Sequence, residues 1–389
     1  MVSIATLSVS IGMSVMLIAL GVIYGFKDEI SYALSGFGSH LTITAVEGSN
    51  SLETPPISSE VSYPDKISKL YLTRNIHRFA RKAGIVKNDE VMEGVMLKGY
   101  GVDYDWSFYE KNLIRGALPR VADSTRTRDI LISEVLANKL KLDTASKVEM
   151  IFIQNPPRRD LYKVSGIYRS NFEEMDKILM ITDIRNIQRL NKWSENQISG
   201  YEIDGYDLRG IDVLHDSVSN IMYNDTEITE SLIVSNLRQK NQMIFDWLST
   251  HDLNALVIII VMMFVAIFNI AAALLIILLE KSRFIGIMKT LGADNKLLQK
   301  VFLWRAAYIV IKGMVWGNVC GILICLIQKF TGVLKLDSAG YFLSQVPISF
   351  NWTSIILLNI FVFVIIVICQ SIPTHIVSKI SPEKTVRYE

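Results

Sequence analysis

Cysteine, histidine and recognisable catalytic motifs are all scarce in this 389-residue chain. The three cysteines, Cys320, Cys325 and Cys369, lie in apolar runs toward the C-terminus. The polar middle of the chain has none, so no disulfide framework staples it, and no C-x-x-C pair offers a metal or redox site. All three read as small apolar packing residues. The five histidines, His40, His77, His215, His251 and His375, lack H-E-x-x-H or Cys/His spacing, so no metal site is expected. There is no G-x-S-x-G nucleophile elbow, no G-x-x-x-x-G-K-[ST] phosphate loop and no acid-rich proton relay. No catalytic residue is therefore assigned, and any work across a membrane needs a separate energy source. Net charge is +2 and the polar middle shows no concentrated basic face, which argues against a nucleic-acid partner.

Long apolar runs, by contrast, are plentiful. Half of the residues are hydrophobic, an ordinary share, but they concentrate in four windows: Ile4–Tyr24, Leu253–Leu279, about Val301–Ile327 and Trp352–Ile372. Each approaches or exceeds the roughly 20 residues that cross a bilayer core. The expected organisation is a transmembrane helix in 1–25, a folded mixed domain in 26–250, and a domain of three further spans in 251–389. Spans two to four are placed at about 253–279, 301–327 and 352–372. The fold class is α+β, with four transmembrane helices and a large mixed α/β domain between the first and second spans. The first window has no basic n-region or convincing cleavage site, so it reads as an uncleaved anchor. The loop after the second window carries Lys281, Arg283, Lys289, Lys296, Lys300 and Arg305 against only Glu280 and Asp294. A short loop so rich in Lys and Arg stays cytoplasmic, which places both termini inside and the large domain outside.

Within the middle domain, SHLTITAVEG and EVMEGVMLKGY alternate like strands, as do KVEMIFIQ and LYKVSGIYRS around the turn-rich NPPRRD. RDILISEVLANKLKLD reads as a strand entering a helix with Ser133 as N-cap, and KILMITDIRNIQRL repeats the pattern at Asp183. The spacing of Ile67, Leu70, Tyr71, Ile76 and Phe79 predicts a helix over 64–84 with Gly84 as its stop. TEITESLIVSNLRQKNQMIFDWLS predicts a helix running into span two without Pro or Gly to break it. Asp103 and Asp105 alternate on a segment read as extended, where they could share a face; a turn-associated structural role is favoured over a metal pair.

Three features mark the apolar half. Gly313, Gly317 and Gly321 make two successive G-x-x-x-G steps, the pattern of close helix packing. Asn269, Lys312 and Asn318 are its main polar intrusions, read as interhelical bonding for Asn269 and snorkelling for Lys312. In the Glu280–Lys300 segment, Ile285, Ile287, Met288 and Leu291 predict one apolar face of a short interfacial helix with basic residues opposite. Gly292-Ala293 supplies a bend, and Asp294-Asn295 can cap the next helix. That combination suits docking to another protein as well as it suits an ordinary interfacial helix.

EKSRFIGIMKTLGAD resembles the cytoplasmic segment of permeases in the MacB/FtsX/LolC–LolE superfamily. The matching residues are Glu280, Lys281, Arg283, Ile285, Gly286, Ile287, Met288, Lys289, Thr290, Leu291, Gly292 and Ala293. Phe284 departs from the acid common before the isoleucine. Pro373, Pro382, Arg387, Tyr388 and Glu389 resemble the family's C-terminal ending, and Tyr341–Trp352, with Tyr341 and Pro347, resembles the outer loop of its lipoprotein-releasing members. The resemblance implies a noncatalytic permease subunit of the bacterial inner membrane, paired with an identical or related permease subunit. Cytoplasmic ABC ATPase subunits, which would hold the ATP and Mg²⁺, would dock on Lys281–Ala293; no cofactor is expected in this chain. The implied cargo is a lipoprotein, handed to a periplasmic carrier. An FtsX-like mechanical regulator and a MacB-like exporter of peptides or small molecules remain alternatives. Relatives commonly carry a basic interfacial helix before span one, so a further N-terminal element is an open expectation.

Overall fold

The structure is a computed structural model that describes residues 2–48, 53–88, 91–122, 125–206, 208–225, 228, 230–336, 342–343 and 345–379. In chain order the elements begin with α1 (Val2–Gly38), β1 (Leu41–Ala45), β2 (Ile57–Ser58), α2 (Tyr63–Ser68), β3 (Thr73–Asn88) and β4 (Val91–Tyr100). Then come α3 (Ser107–Asn112), β5 (Leu113–Gly116), β6 (Asp129–Ser133), α4 (Glu134–Lys139), β7 (Lys147–Phe152) and β8 (Arg158–Tyr168). Next are α5 (Glu173–Asp176), β9 (Leu179–Asp183), α6 (Ile184–Asn191), β10 (Gln197–Ile198), β11 (Gly200–Gly205), α7 (Ile211–Asn224) and β12 (Leu232–Asn236). The chain continues through α8 (Leu237–Lys240), α9 (Gln242–Glu280), α10 (Ser282–Thr290), α11 (Asn295–Thr331) and α12 (Trp352–Lys379). Tyr341, Pro382, Arg387, Tyr388 and Glu389 lie outside the described residues.

Two compact units result: a helix unit (Met1–Asp28, Asp246–Lys335 and Gln345–Glu389) and a sheet unit (Glu29–Phe245 and Leu336–Ser344). In the helix unit, α1, α9, α11 and α12 are long and apolar enough to cross a membrane. One core cluster draws on all four: Val9, Met13, Ala266, Ile270, Ala306, Val310, Val362 and Ile366. The outward residues are equally apolar, with Phe268, Trp304, Tyr308 and Phe361 more than half exposed. Helices that are hydrophobic all round suit hydrocarbon, because each satisfies its own backbone hydrogen bonds.

The sheet unit holds a 10-stranded sheet in the order β12-β1-β11-β3-β4-β9-β6-β8-β5, with β7 paired to both β3 and β8. Those extra pairings turn β3, β4, β9, β6, β8 and β7 into a closed circuit. Strand β3 achieves this by length: Phe79 faces Gly200 of β11, whereas Ile85 faces Ile151 of β7. Gly84 allows the packing there, since a Cβ on it would lie 3.0 Å from the Phe152 ring.

Two predicted helices give way to this sheet. Only Tyr63–Ser68 of the segment around 64–84 is helical, with Pro in its first turn; Thr73 onward is strand. The apolar positions fitted a helical period, but β4 and β11 claim the backbone on both edges, and Gly84 sits within the strand. In the same way Leu232–Asn236 pairs with β1, so the helix into span two begins after that strand. Asp103 and Asp105 occupy a turn rather than an extended run. Asp103 accepts bonds from the Arg78 backbone N–H at 2.9 Å and from Arg78 Nε at 3.2 Å, and Asp105 pairs with Arg74 at 3.0 Å. The two strand-to-helix corners form as read: Ser133 accepts from Leu136 N–H at 3.0 Å, and Asp183 from Arg185 N–H at 3.0 Å.

The sheet core contains ionised groups that the spacing did not single out. Lys98 on β4 donates to Glu202 on β11 at 2.6 Å and to the Phe37 carbonyl, near the end of α1, also at 2.6 Å. His77 and Tyr100 approach the other Glu202 oxygen at 3.3 and 3.2 Å. Burial by itself would raise the Glu202 carboxyl, but Lys98 and His77 outweigh it and hold the group down at about 2.

Candidate coupling helix and helix contacts

Helix α10 is short, and its C-terminus explains its shape. Ala293 N–H donates to Met288 C=O at 2.9 Å and Gly292 N–H to Lys289 C=O at 3.1 Å, the paired bonds of a Schellman end. Gly292 takes φ +91° there, with open space around its Cα. Glycine is thus required at this position by backbone conformation, not by crowding. Asp294 occupies the N-cap position of α11, but its side chain makes no capping bond.

The apolar residues of α10 do not form one face. Ile285 and Gly286 are buried, with Met288 and Ala293 partly so, against Ala5, Ile277, Leu298, Phe302 and Ile309. Ile287 and Leu291 point the other way, 44% and 75% exposed, beside exposed Phe284. The reason is angular: residues two apart on a helix lie on opposite sides, so Ile285 and Ile287 cannot share a surface. Lys281 and Arg283 are exposed on the same element, and Lys289 is half-buried. Among the described residues no ion pair joins Lys281, Arg283, Lys296, Lys300 or Arg305, so the segment presents a basic surface studded with three apolar side chains.

The glycines of α11 face α1. A Cβ at Gly313 would lie 2.7 Å from Val9 Cβ, one at Gly317 2.6 Å from Met13 Cβ, and one at Gly321 3.2 Å from Ser14 Cα. Ser14 strengthens the contact, donating its hydroxyl to both Ser10 C=O and Gly317 C=O at 2.8 Å. Asn318 and Asn359 exchange amide bonds at 2.7 and 3.1 Å between α11 and α12, and Asn269 donates to Ser8 at 2.5 Å. Lys312 is exposed. Pro347 crosses Gly25 of α1, whose missing Cβ would stand 2.2 Å from the Pro347 carbonyl oxygen. Gln328 ties the same loop down, donating to Leu334 C=O and Val346 C=O at 3.1 Å. Sequence reasoning passed over Ser14, Gly25 and Gln328; the small residues spaced along α1 were the available signal.

Residues 256–382 match the FtsX-like permease C-terminal family. Nearly the whole chain also aligns with lipoprotein-releasing system transmembrane proteins. It is 20% identical to LolC of Xylella fastidiosa over 98% of this chain and 92% of that protein. It is 22% identical to LolC of Neisseria meningitidis over 100% and 94%, and 20% identical to LolE of Haemophilus influenzae over 97% and 92%. The C-terminal third of the chain thus matches the FtsX-like permease family, and the alignments over nearly its full length support the ABC permease superfamily. Among solved structures, the chain is similar to the extracellular domain of the noncanonic ABC-type transporter YknZ from Gram-positive bacteria. That match has TM-score 0.35 and 14% identity, and covers 50% of this chain and 99% of that one. The periplasmic region of MacB from Actinobacillus actinomycetemcomitans also has TM-score 0.35, with 13% identity, over 54% and 95%. The four long apolar helices and these alignments fit a multi-pass membrane protein of the transporter-permease type.

Proposed function

We propose that the protein is the noncatalytic permease subunit of an ATP-driven complex that extracts lipoproteins from the inner membrane and passes them to a periplasmic carrier. The alignment of essentially the whole chain with lipoprotein-releasing subunits supports this reading, and α10 carries the mechanism. Its buried Ile285 keys the helix to the bundle, while Phe284, Ile287, Leu291, Lys281 and Arg283 stay outward for a partner. That partner is a cytoplasmic ABC ATPase, which binds ATP and Mg²⁺ and pushes on the helix; a second permease subunit, identical or related, completes the complex. Both termini are then cytoplasmic, and the sheet unit is periplasmic and lies between spans one and two. Gly313, Gly317 and Gly321 make the α1–α11 contact a close one that can slide as a unit.

The test is reconstitution with the ATPase and a fluorescent lipoprotein. Leu291→Asp and Gly286→Leu are expected to preserve ATP hydrolysis by the complex but abolish ATP-dependent release. Release at the parental rate from either variant, at equal protein levels, would overturn the assignment of α10. Normal coupling with the lipoprotein retained in the membrane would favour the regulatory alternative.

A further inference from the structure

The sheet unit carries a cluster of guanidinium groups that neither the coupling helix nor the bundle explains. Arg189 on α6 pairs with Asp160 of β8, and Arg128, just before β6, approaches the other Asp160 oxygen at 3.9 Å. Asp160 is almost fully buried, whereas the Arg128 and Arg189 side chains are 48% and 37% exposed, so both cations reach the surface from one internal carboxylate. Arg126 joins them, locked by a 2.7 Å bond to buried Asn186, whose amide in turn donates to Thr127 C=O at 2.8 Å. Burial first, then Arg189 and Arg128, pushes the Arg126 guanidinium down from its usual value, a sign that the like charges crowd one another.

Two buried polar atoms at this place have no hydrogen-bond partner among the described residues, Tyr162 Oη and Arg189 Nε. Tyr162 lies two residues from Asp160 on the same face of β8, is 1% exposed, and stands in the field of Asp160 and all three arginines. Buried donors are rarely left unpaired, because each forfeits its bonds to water. Three guanidiniums against one carboxylate also leave an excess of two positive charges.

We propose that Arg126, Arg128 and Arg189, with the Tyr162 hydroxyl, form a binding site for a phosphate-type dianion. A phosphate neutralises the excess charge, and its oxygens accept from planar guanidinium forks, the geometry that favours arginine over lysine at such sites. The group comes from a free phosphate ester or from a lipid headgroup. Arg158 is not part of the site, since it donates to the Arg189 and Leu190 carbonyls at 3.0 and 3.4 Å and so caps the end of α6.

In the experiment, the full chain in phosphatidylcholine nanodiscs is titrated with inorganic phosphate. In a second arm it is floated with phosphatidylcholine vesicles that contain phosphatidic acid. Binding in the first arm supports a soluble ligand, and binding in the second alone supports a lipid phosphate. The Arg126→Gln/Arg128→Gln pair should weaken binding at least about tenfold and Tyr162→Phe about threefold. Arg115→Gln, at an exposed pair with Asp143, should change nothing. Should the double variant misfold, Arg128→Gln alone, at a half-exposed side chain, carries the same expectation. No binding in either arm, or equal binding by parent and arginine variants, overturns the site.

Discussion

The two units of the chain solve the burial of polar groups in opposite ways. The helix unit keeps its interior contacts neutral: Ser14 on the Gly317 carbonyl, the Asn318–Asn359 amide exchange, Gln328 on the loop carbonyls. The sheet unit buries full charges, with Lys98 and Glu202 almost completely enclosed beside the equally buried His77. Helices satisfy their own backbone and need only small residues to approach, so uncharged groups suffice between them. A sheet assembled from distant strands leaves room for a charge pair only where several elements converge. Glu202 sits at such a point, between β4, β3 and the end of α1. A buried pair of this kind adds little net stability, yet it makes the loss of one partner costly.

The largest expected effect breaks the charged side of this contrast. Glu202→Gln leaves the Lys98 ammonium without its counter-charge and should destabilise the sheet unit by about 3–5 kcal/mol. The Lys98→Met/Glu202→Leu pair should recover most of that loss, as measured by denaturant unfolding of the full chain. Parental stability in the single variant would remove the pair from the account of the core. The same pair sets an acid limit. The Glu202 group is depressed in the fold from 4.5 to about 2, so its stabilisation is complete above pH 4.5 and is lost as pH falls toward 2.

On the neutral side the effect should be smaller. Gly317→Leu drives a side chain into Met13 and the Ser10 carbonyl, and should cost about 1–3 kcal/mol of helix-unit stability through overpacking. Thermal unfolding in detergent measures it, and an unchanged midpoint would mean that α1 and α11 are not held at this distance. Smallest is an effect of pH on the sheet unit near neutrality. Burial raises the Asp176 carboxyl from 3.8 to about 7 despite two bonds from Ser170. A raised acid favours the folded state at low pH, and that contribution is lost as pH rises from 3.8 through 7. Asp176→Asn should flatten stability across that window, and an unaltered pH profile would show that Asp176 ionises normally.

Much of the helix unit was legible from composition because its signal is local. A run of about 20 apolar residues names a span by itself. The Gly313, Gly317 and Gly321 repeat marks a packing face, and Gly292 marks a helix end, where a left-handed residue needs no distant partner. The corners at Ser133 and Asp183 were readable for the same reason, since a cap bonds two or three residues ahead. What failed was non-local. Residues 64–84 carried a helical spacing of apolar side chains, and only the edges offered by β4, β11 and β7 made Thr73–Asn88 a strand. Leu232–Asn236 likewise became strand because β1 was free to pair.

Sequence alone therefore determined four apolar spans, a mixed domain and a basic helix after the second apolar run. Tertiary structure decided which side of that helix is buried, which residues of α1 receive the glycines, and where Lys98 and Glu202 meet. The physical reason is one of range. Hydropathy, caps and helix ends are settled within a few residues, whereas strand pairing, charge pairing and close helix contacts depend on partners that only the folded chain brings together.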